Sequence, residues 1–118
     1  MAEFTLEAIK QESERQYGST TVTTEDGSIT FRAMLRLPDS DLGKVQGYIN
    51  DVNQLVEAGD ESLEAIQKMD SYMREALRVA CAESDAQFET FAERLDRGDM
   101  LTLFQYWSNG TQPGEASA

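Results

Sequence analysis

The spacing of apolar residues indicates that the chain begins with a short helix. Leu6 and Ile9 lie three positions apart on a charged background, as they would on one face of a helix. Thr5 can serve as the N-cap, and Gly18 is a typical helix stop. The pattern predicts a helix at 5–17, with a thin apolar face because few other residues of this segment are apolar.

A strand-like pattern follows the first helix. Residues 20–24 form a β-branched run (TTVTT), and a second run, SITFR, occupies residues 28–32. Asp26 and Gly27, placed between two such runs, are the strongest short-range signal for a tight hairpin turn. The pattern therefore predicts an antiparallel β-hairpin at 20–33.

The expected pairing gives this hairpin one apolar face and two open edges. With the turn pair as the loop, Thr24 lies opposite Ile29 and Val22 lies opposite Phe31, so all four side chains share a face. Open edges are templates for another strand. The cover could come from the chain's own helices or from a neighbouring subunit, and the second alternative makes Val22, Ile29 and Phe31 candidate self-association residues.

Apolar residues at helical spacing dominate the rest of the chain. Pro38 keeps a helix from running back into the hairpin, and the acidic stretch 39–41 offers N-caps for the next helix. Gly59 and Gly98 interrupt the pattern, and Asp99 can cap the last helix. The period predicts four helices, at 40–58, 60–82, 84–96 and 99–108.

These elements predict a fold that is mainly α with a small β-hairpin (α+β). The order is an N-terminal helix, an antiparallel hairpin and then a bundle of three to four helices. A chain of 118 residues with 40% apolar content is long enough for one core. We expect a single domain at 1–110 and a flexible C-terminal tail at 111–118, where no periodic apolar residue occurs.

Charge and composition narrow the function classes. The chain has 22 acidic and 10 basic residues, a net charge of -12 and no histidine. A surface this acidic repels phosphate backbones and anionic membranes, so binding to nucleic acid or membrane is not expected. Without histidine, and with Cys81 as the single cysteine, the residues offer no catalytic site, metal site or cofactor site. We expect a cytosolic protein that binds another protein and is not an enzyme.

Methionine and aromatic residues are concentrated in the C-terminal half. Such side chains form adaptable grooves for an amphipathic helix, and they are equally common in ordinary cores. The sequence leaves both interpretations open. The candidates for binding a partner helix are Met69, Met73, Phe88, Phe91, Phe104 and Trp107.

The order of these features resembles one protein family. The chain has, in order, a short N-terminal helix, a polar hairpin, the strip LRLP at 35–38, acidic helices, a last helix ending in Trp107 and the closing segment TQPGEA at 111–116. Together these features are similar to those of the tail assembly chaperones of long-tailed bacteriophages, particularly those infecting actinobacteria. The resemblance implies a protein that coats the tape measure protein during assembly. It also implies a location in the host cell cytoplasm and absence from the mature virion.

The same resemblance implies two products of one gene. A short product and a longer product made by programmed ribosomal frameshifting are typical of the family, and the extra domain of the longer one recruits tail tube subunits. This chain resembles the short product, and Gly114 and Glu115 mark a candidate frameshift position. From the open hairpin, we also expect a homo-oligomer.

Two alternatives from other classes remain open on the residues alone. The acidity suits an adaptor or inhibitor that presents carboxylates in place of DNA phosphates. Such a mimic would need its acids on one face, and the sequence spreads them over several helices. The second alternative is a minor structural protein of the virion.

Overall fold

The structure, a computed structural model, describes residues 3–25 and 27–108. These residues fold into five α-helices, a two-stranded antiparallel sheet and one short 3-10 helix, which confirms the expected fold class. The helices are α1 (Leu6–Tyr17), α2 (Asp39–Ala58), α3 (Leu63–Ala80), α4 (Asp85–Ala92) and α5 (Arg97–Ser108). The strands are β1 (Thr20–Thr24) and β2 (Gly27–Phe31), and the 3-10 helix is Met34–Arg36.

Several helix ends lie at or next to the positions that the sequence indicated. The Thr5 hydroxyl accepts a hydrogen bond from the Ala8 N–H at 3.0 Å and starts α1. Ser84 starts α4 with a complete capping box, in which its side chain and that of Gln87 each accept the other's backbone N–H. Gly59 ends α2 in the left-handed conformation (φ 66°), which glycine adopts without steric cost.

Other helix ends differ from the predicted bounds. Pro38 precedes α2 without a side-chain cap, and Ser62 caps α3, so this helix begins three residues later than expected. Helix α5 begins at Arg97, ahead of Gly98. Asp99 lies inside that helix, and its N–H donates to the Asp96 carboxylate at 2.8 Å. Asp96 therefore does the capping that the sequence pattern assigned to Asp99.

The hairpin has the predicted faces but a different register. Val22 lies opposite Ile29 and Thr20 lies opposite Phe31, whereas the predicted pairing placed Val22 opposite Phe31. A shift of two residues leaves each side chain on the same face of the sheet. The apolar pattern is therefore the same in both registers and could not distinguish them.

The shift comes from the turn. Gly27 is the first residue of β2 and pairs with Thr24, where the prediction made it a loop residue. Its φ of 140° lies in a region that residues with a Cβ rarely adopt, and its carbonyl accepts a hydrogen bond from the Thr24 hydroxyl at 3.2 Å. Asp26, the other expected loop residue, lies outside the described residues.

The core forms where the apolar face of the hairpin meets α3, α4 and α5. Phe31 is 0% exposed, and its ring lies 6.2 Å from the Phe88 ring in an edge-to-face arrangement and 6.0 Å from the Phe91 ring. Aromatic pairs of this kind contribute about 0.5–1.5 kcal/mol beyond the burial of their area. A separate contact joins α2 to α3 through the stacked rings of Tyr48 and Tyr72.

Residues just after the hairpin attach it to the helices. The Arg32 guanidinium donates to the backbone carbonyls of Val79 and Ala80, at the carboxyl end of α3, where a cation suits the helix dipole. The Arg32 carbonyl accepts the indole N–H of Trp107 at 2.7 Å. The end of the hairpin is thus fixed between the end of α3 and the last turn of α5.

Candidate functional site

The structure places the expected partner-binding residues mainly in the core. Met69 is half-buried, and the other five side chains are buried: Met73, Phe88, Phe91, Phe104 and Trp107. Phe104 and Trp107 lie with their rings 6.0 Å apart. In this arrangement the aromatic residues stabilise the fold, which is the interpretation that the sequence left open beside a binding groove.

The candidate self-association residues also face inward. Ile29 and Phe31 are buried and Val22 is half-buried, all three within the hydrophobic core or against it. The apolar face of the hairpin is therefore covered by helices of the same chain. The parts of the hairpin left for a second subunit are its outer face, where Thr21, Thr23 and Ser28 are exposed, and its strand edges.

The two edges of the hairpin differ. The outer edge of β2 is closed by residues 80–83: the Ala82 N–H donates to the Thr30 carbonyl at 2.8 Å, and the Thr30 N–H donates to the Glu83 carboxylate at 2.9 Å. Phe31 forms an isolated antiparallel bridge with Cys81. Among the described residues, none pairs in this way with the outer edge of β1.

An open apolar cleft lies between α3 and α5. We define the α3–α5 cleft by the residues that line it: Ile66, Met69, Asp70, Met73, Arg97, Gly98 and Leu101. Its volume is about 200 Å³. Ile66 and Leu101 are 41% and 38% exposed at its rim, and Leu63 is exposed one turn earlier on α3. Two of the expected partner-binding residues line this cleft: Met69 is half-buried there, and Met73 is buried at its base.

Two charged residues also line the α3–α5 cleft, and one of them is already paired. The Asp70 carboxylate accepts a hydrogen bond from Arg74 at 2.8 Å. Arg74 also donates to the carbonyls of Ala92 and Leu95, which ties α3 to the segment before α5. The remaining charge at the cleft is Arg97. Binding there would rest mainly on apolar contact, because the lining is apolar apart from these two residues and Gly98.

A second exposed apolar surface lies at the start of the chain. Phe4, Leu6 and Ile9 are all exposed. A hydrogen bond from the Arg36 guanidinium to the Ser13 hydroxyl, at 2.9 Å, joins α1 to the 3-10 helix. The sequence indicated the thin apolar face of α1, and the structure leaves that face uncovered by the described residues.

Comparison with known proteins identifies the family to which the chain belongs. Residues 1–116 match the family described as mycobacteriophage tail assembly protein. The chain belongs to this family. The resemblance to tail assembly proteins of phages that infect actinobacteria is therefore confirmed, and a role in phage tail assembly follows for the chain. No curated protein and no solved structure matches it.

The described residues of this family member were also compared with what a metal site, a reactive thiol or a membrane span requires. They contain no grouping of three or more histidine, cysteine or acidic side chains that could hold a metal ion. Burial raises the pKa of the Cys81 thiol, and the nearby Glu83 carboxylate accepts its S–H at 3.6 Å. A thiol held in its neutral form is a poor nucleophile. None of the described helices is both long enough and apolar enough to span a membrane.

Proposed function

We propose that the chain is a tail assembly chaperone that binds the tape measure protein, keeps it soluble and helps to recruit tail tube subunits. Membership of the tail assembly family supports the general role. The observation that carries the finer proposal is the α3–α5 cleft, because half-buried Met69 and the exposed aliphatic side chains of Ile66 and Leu101 suit the apolar stripe of a helical client.

The charge of the chain supports the same proposal. A client helix that exposes apolar stripes would self-associate unless those stripes were covered. A coat of subunits, each with a net charge of -12, would cover the stripes and keep the complex in solution. Since the lining of the α3–α5 cleft is mostly apolar, contact with the client would change little when salt screens the charges.

Substitutions at the rim of the α3–α5 cleft test the client-binding site. Ile66→Asp and Leu101→Asp place a carboxylate on side chains that are already part-exposed, so the fold should remain. Leu35→Asp is the matched control, because Leu35 is 70% exposed on the 3-10 helix and does not line the cleft. The chain would be co-expressed with the tape measure protein of the same phage, and the soluble fraction of that protein measured.

The expected result is a soluble tape measure protein with the unchanged chain and with Leu35→Asp, and an insoluble one with either cleft variant. Circular dichroism of each variant alone checks that its helices are intact. A tape measure protein that stays soluble with both cleft variants would exclude this cleft as the site. A complex that dissociates in about 1 M salt would instead favour the acidic adaptor or inhibitor.

The proposal includes a longer, frameshifted product that contacts the tail tube protein. Gly114 and Glu115, the candidate frameshift position, lie outside the described residues. The last buried side chain among the described residues, Trp107, precedes them, so both products would contain this core. Mass spectrometry of infected cells should find a second, longer protein that shares the peptides of this chain up to that position. A single product would contradict this part of the proposal.

The proposed chaperone acts in the host cell cytoplasm and leaves before the tail is complete. Purified phage particles should therefore lack this chain, while infected cells contain it. Quantitative mass spectrometry of both samples measures this. A constant number of copies in each particle would favour the alternative of a minor structural virion protein.

A further inference from the structure

The hydrogen bonds of β2 define which groups β1 presents to solvent. Thr30 uses its N–H and its carbonyl on the side away from β1, toward Glu83 and Ala82. Thr30 and its partner Thr21 are therefore a non-hydrogen-bonded pair of the antiparallel ladder. The pairs of such a ladder alternate, so Thr21 and Thr23 both direct their N–H and C=O groups away from β2.

These four backbone groups form the outer edge of β1, and nothing in the described part of the chain closes it. No backbone hydrogen bond from residues 3–25 or 27–108 reaches them. The side chains of Thr21 and Thr23 are exposed as well. Proteins usually protect such an edge with a charge, a proline or a bulge. Residues 20–24 contain only threonine and valine.

The chemistry of this edge fits a second copy of the same chain. The segment TTVTT at residues 20–24 reads the same in both directions, so two antiparallel copies present identical residues to each other. In a two-fold pair centred on Val22, Thr21 lies opposite Thr23 of the other copy. Each outward N–H then meets an outward C=O, which gives four hydrogen bonds across the axis.

The distribution of charge also favours contact between two copies at β1. Two copies that each carry a net charge of -12 repel one another, so they meet at the lowest cost where the surface is neutral. The segment at 18–24 carries no charged residue. Pairs of threonine across the new strand boundary are also favourable in an antiparallel sheet.

A cleft lies where Val22 of β1 meets α4 and α5. It measures about 290 Å³ and is lined by Val22, Phe91, Leu95, Asp99, Thr102, Leu103 and Tyr106. Val22 is only half-buried in the single chain. In the two-fold pair, Val22 of the second copy lies directly beside it on the same face of the sheet. The two apolar side chains then cover one another.

We propose that a second copy of the chain pairs with β1 in the antiparallel direction and joins the two hairpins into one four-stranded sheet in the order β2-β1-β1-β2. This dimer does not depend on client binding at the α3–α5 cleft. Either proposal can therefore fail while the other stands.

A proline on the open edge tests the pairing. Thr23→Pro removes an N–H that the hairpin does not use, and proline is tolerated in such edge positions. Sedimentation should give twice the chain mass of 13.2 kDa for the unchanged protein. The variant should raise the dimer Kd about tenfold or more, because the two-fold pair loses two hydrogen bonds. Thr23→Val, which keeps the N–H and the β-branched shape, should remain dimeric.

A single cysteine on the two-fold axis provides a test that does not depend on proline. In a Cys81→Ala background, Val22→Cys should form a disulfide between copies under mild oxidation, because the paired Cα atoms lie about 4.5 Å apart. Thr24→Cys is the matched control on the same face. Its two copies would lie four residues out of register, about 14 Å apart, and should not cross-link.

The proline and cysteine variants together distinguish a dimer formed through β1 from the other possibilities. A dimer that dissociates with Thr23→Pro and cross-links through Val22→Cys supports the proposal, and raising the salt should strengthen that dimer by screening the repulsion. A monomeric unchanged protein, a Thr23→Pro variant with unaltered mass or equal cross-linking by Thr24→Cys would overturn it. If the chain is monomeric until a tail protein is added, the occupant of the edge is that protein and not a second copy.

Discussion

The first and last helices have the same length, but one is mostly exposed and the other is packed in the core. Helices α1 and α5 both span 12 residues. Helix α5 buries four side chains in the core: Met100, Leu103, Phe104 and Trp107. The described side chains of α1 are exposed apart from the half-buried Ser13. Helix formation alone therefore does not determine whether a helix belongs to the core.

The difference follows from the residues at the contact positions. Helix α5 has large apolar groups spaced three and four apart, together with an indole N–H that finds the Arg32 carbonyl. Among the described side chains of α1, the large apolar ones are Leu6 and Ile9, and both are exposed. Helix α5 is thus part of the core, whereas the described apolar side chains of α1 remain outside it.

The largest expected effect comes from removing the main anchor of α5. Trp107 is 2% exposed, so Trp107→Ala leaves a large cavity and an unpaired Arg32 carbonyl. We expect a loss of about 3–5 kcal/mol in the free energy of unfolding, measured by urea denaturation. Leu101→Ala on the same helix is the control and should cost less, because Leu101 is part-exposed. Equal losses would show that α5 is not anchored by its buried face.

A smaller effect should follow from removing only the indole N–H. Trp107→Phe keeps most of the apolar contact but leaves the Arg32 carbonyl without its donor. The unpaired carbonyl should cost about 1–3 kcal/mol, less than the alanine variant. Urea denaturation of the two variants side by side gives the ranking. A phenylalanine variant as stable as the unchanged protein would mean that water replaces the indole.

Helix α1 should respond locally to the loss of its cap. Thr5→Ala removes the acceptor for the Ala8 N–H and weakens the helix by about 1 kcal/mol. Amide hydrogen exchange should become about fivefold faster within α1, since 1 kcal/mol corresponds to that factor. The midpoint of global unfolding should not move. A matching fall in global stability would show that α1 folds as one unit with α2–α5.

The smallest effect is expected for the apolar face of α1. Ile9→Ala changes a side chain that is exposed, so the free energy of unfolding should stay within about 0.5 kcal/mol of the original value. The same urea experiment measures it. A loss of more than about 2 kcal/mol would mean that Ile9 is covered in solution, by the core or by another copy of the chain.

Local signals predicted much of the fold. The Thr5 cap, the start of a helix at residue 84, the stop at Gly59 and the β-branched runs around the turn all depend on residues close together in the sequence, which a sequence pattern can detect. The hairpin register was wrong because both registers bury the same side chains. No pattern of apolar residues could separate them.

Contacts between residues far apart in the chain could not be predicted from the sequence. The last residues of the predicted helix 60–82 belong instead to the segment that closes the edge of β2, through the Phe31–Cys81 bridge. The partner-binding candidates had two interpretations because methionine and aromatic residues serve a core and a groove alike. Only the placement of α5 against α3 distinguishes buried Phe104 from Met69 at the α3–α5 cleft.

The bond between the Trp107 indole and the Arg32 carbonyl has a consequence for synthesis. The two residues lie 75 positions apart. At a ribosomal rate of about 5–20 residues per second, the hairpin waits roughly 4–15 s for its last partner. Residues 80–83, which close β2, also arrive after a long delay. The speed of translation between Arg32 and Trp107 therefore determines how long an uncovered strand and the Phe31 ring remain exposed on the nascent chain.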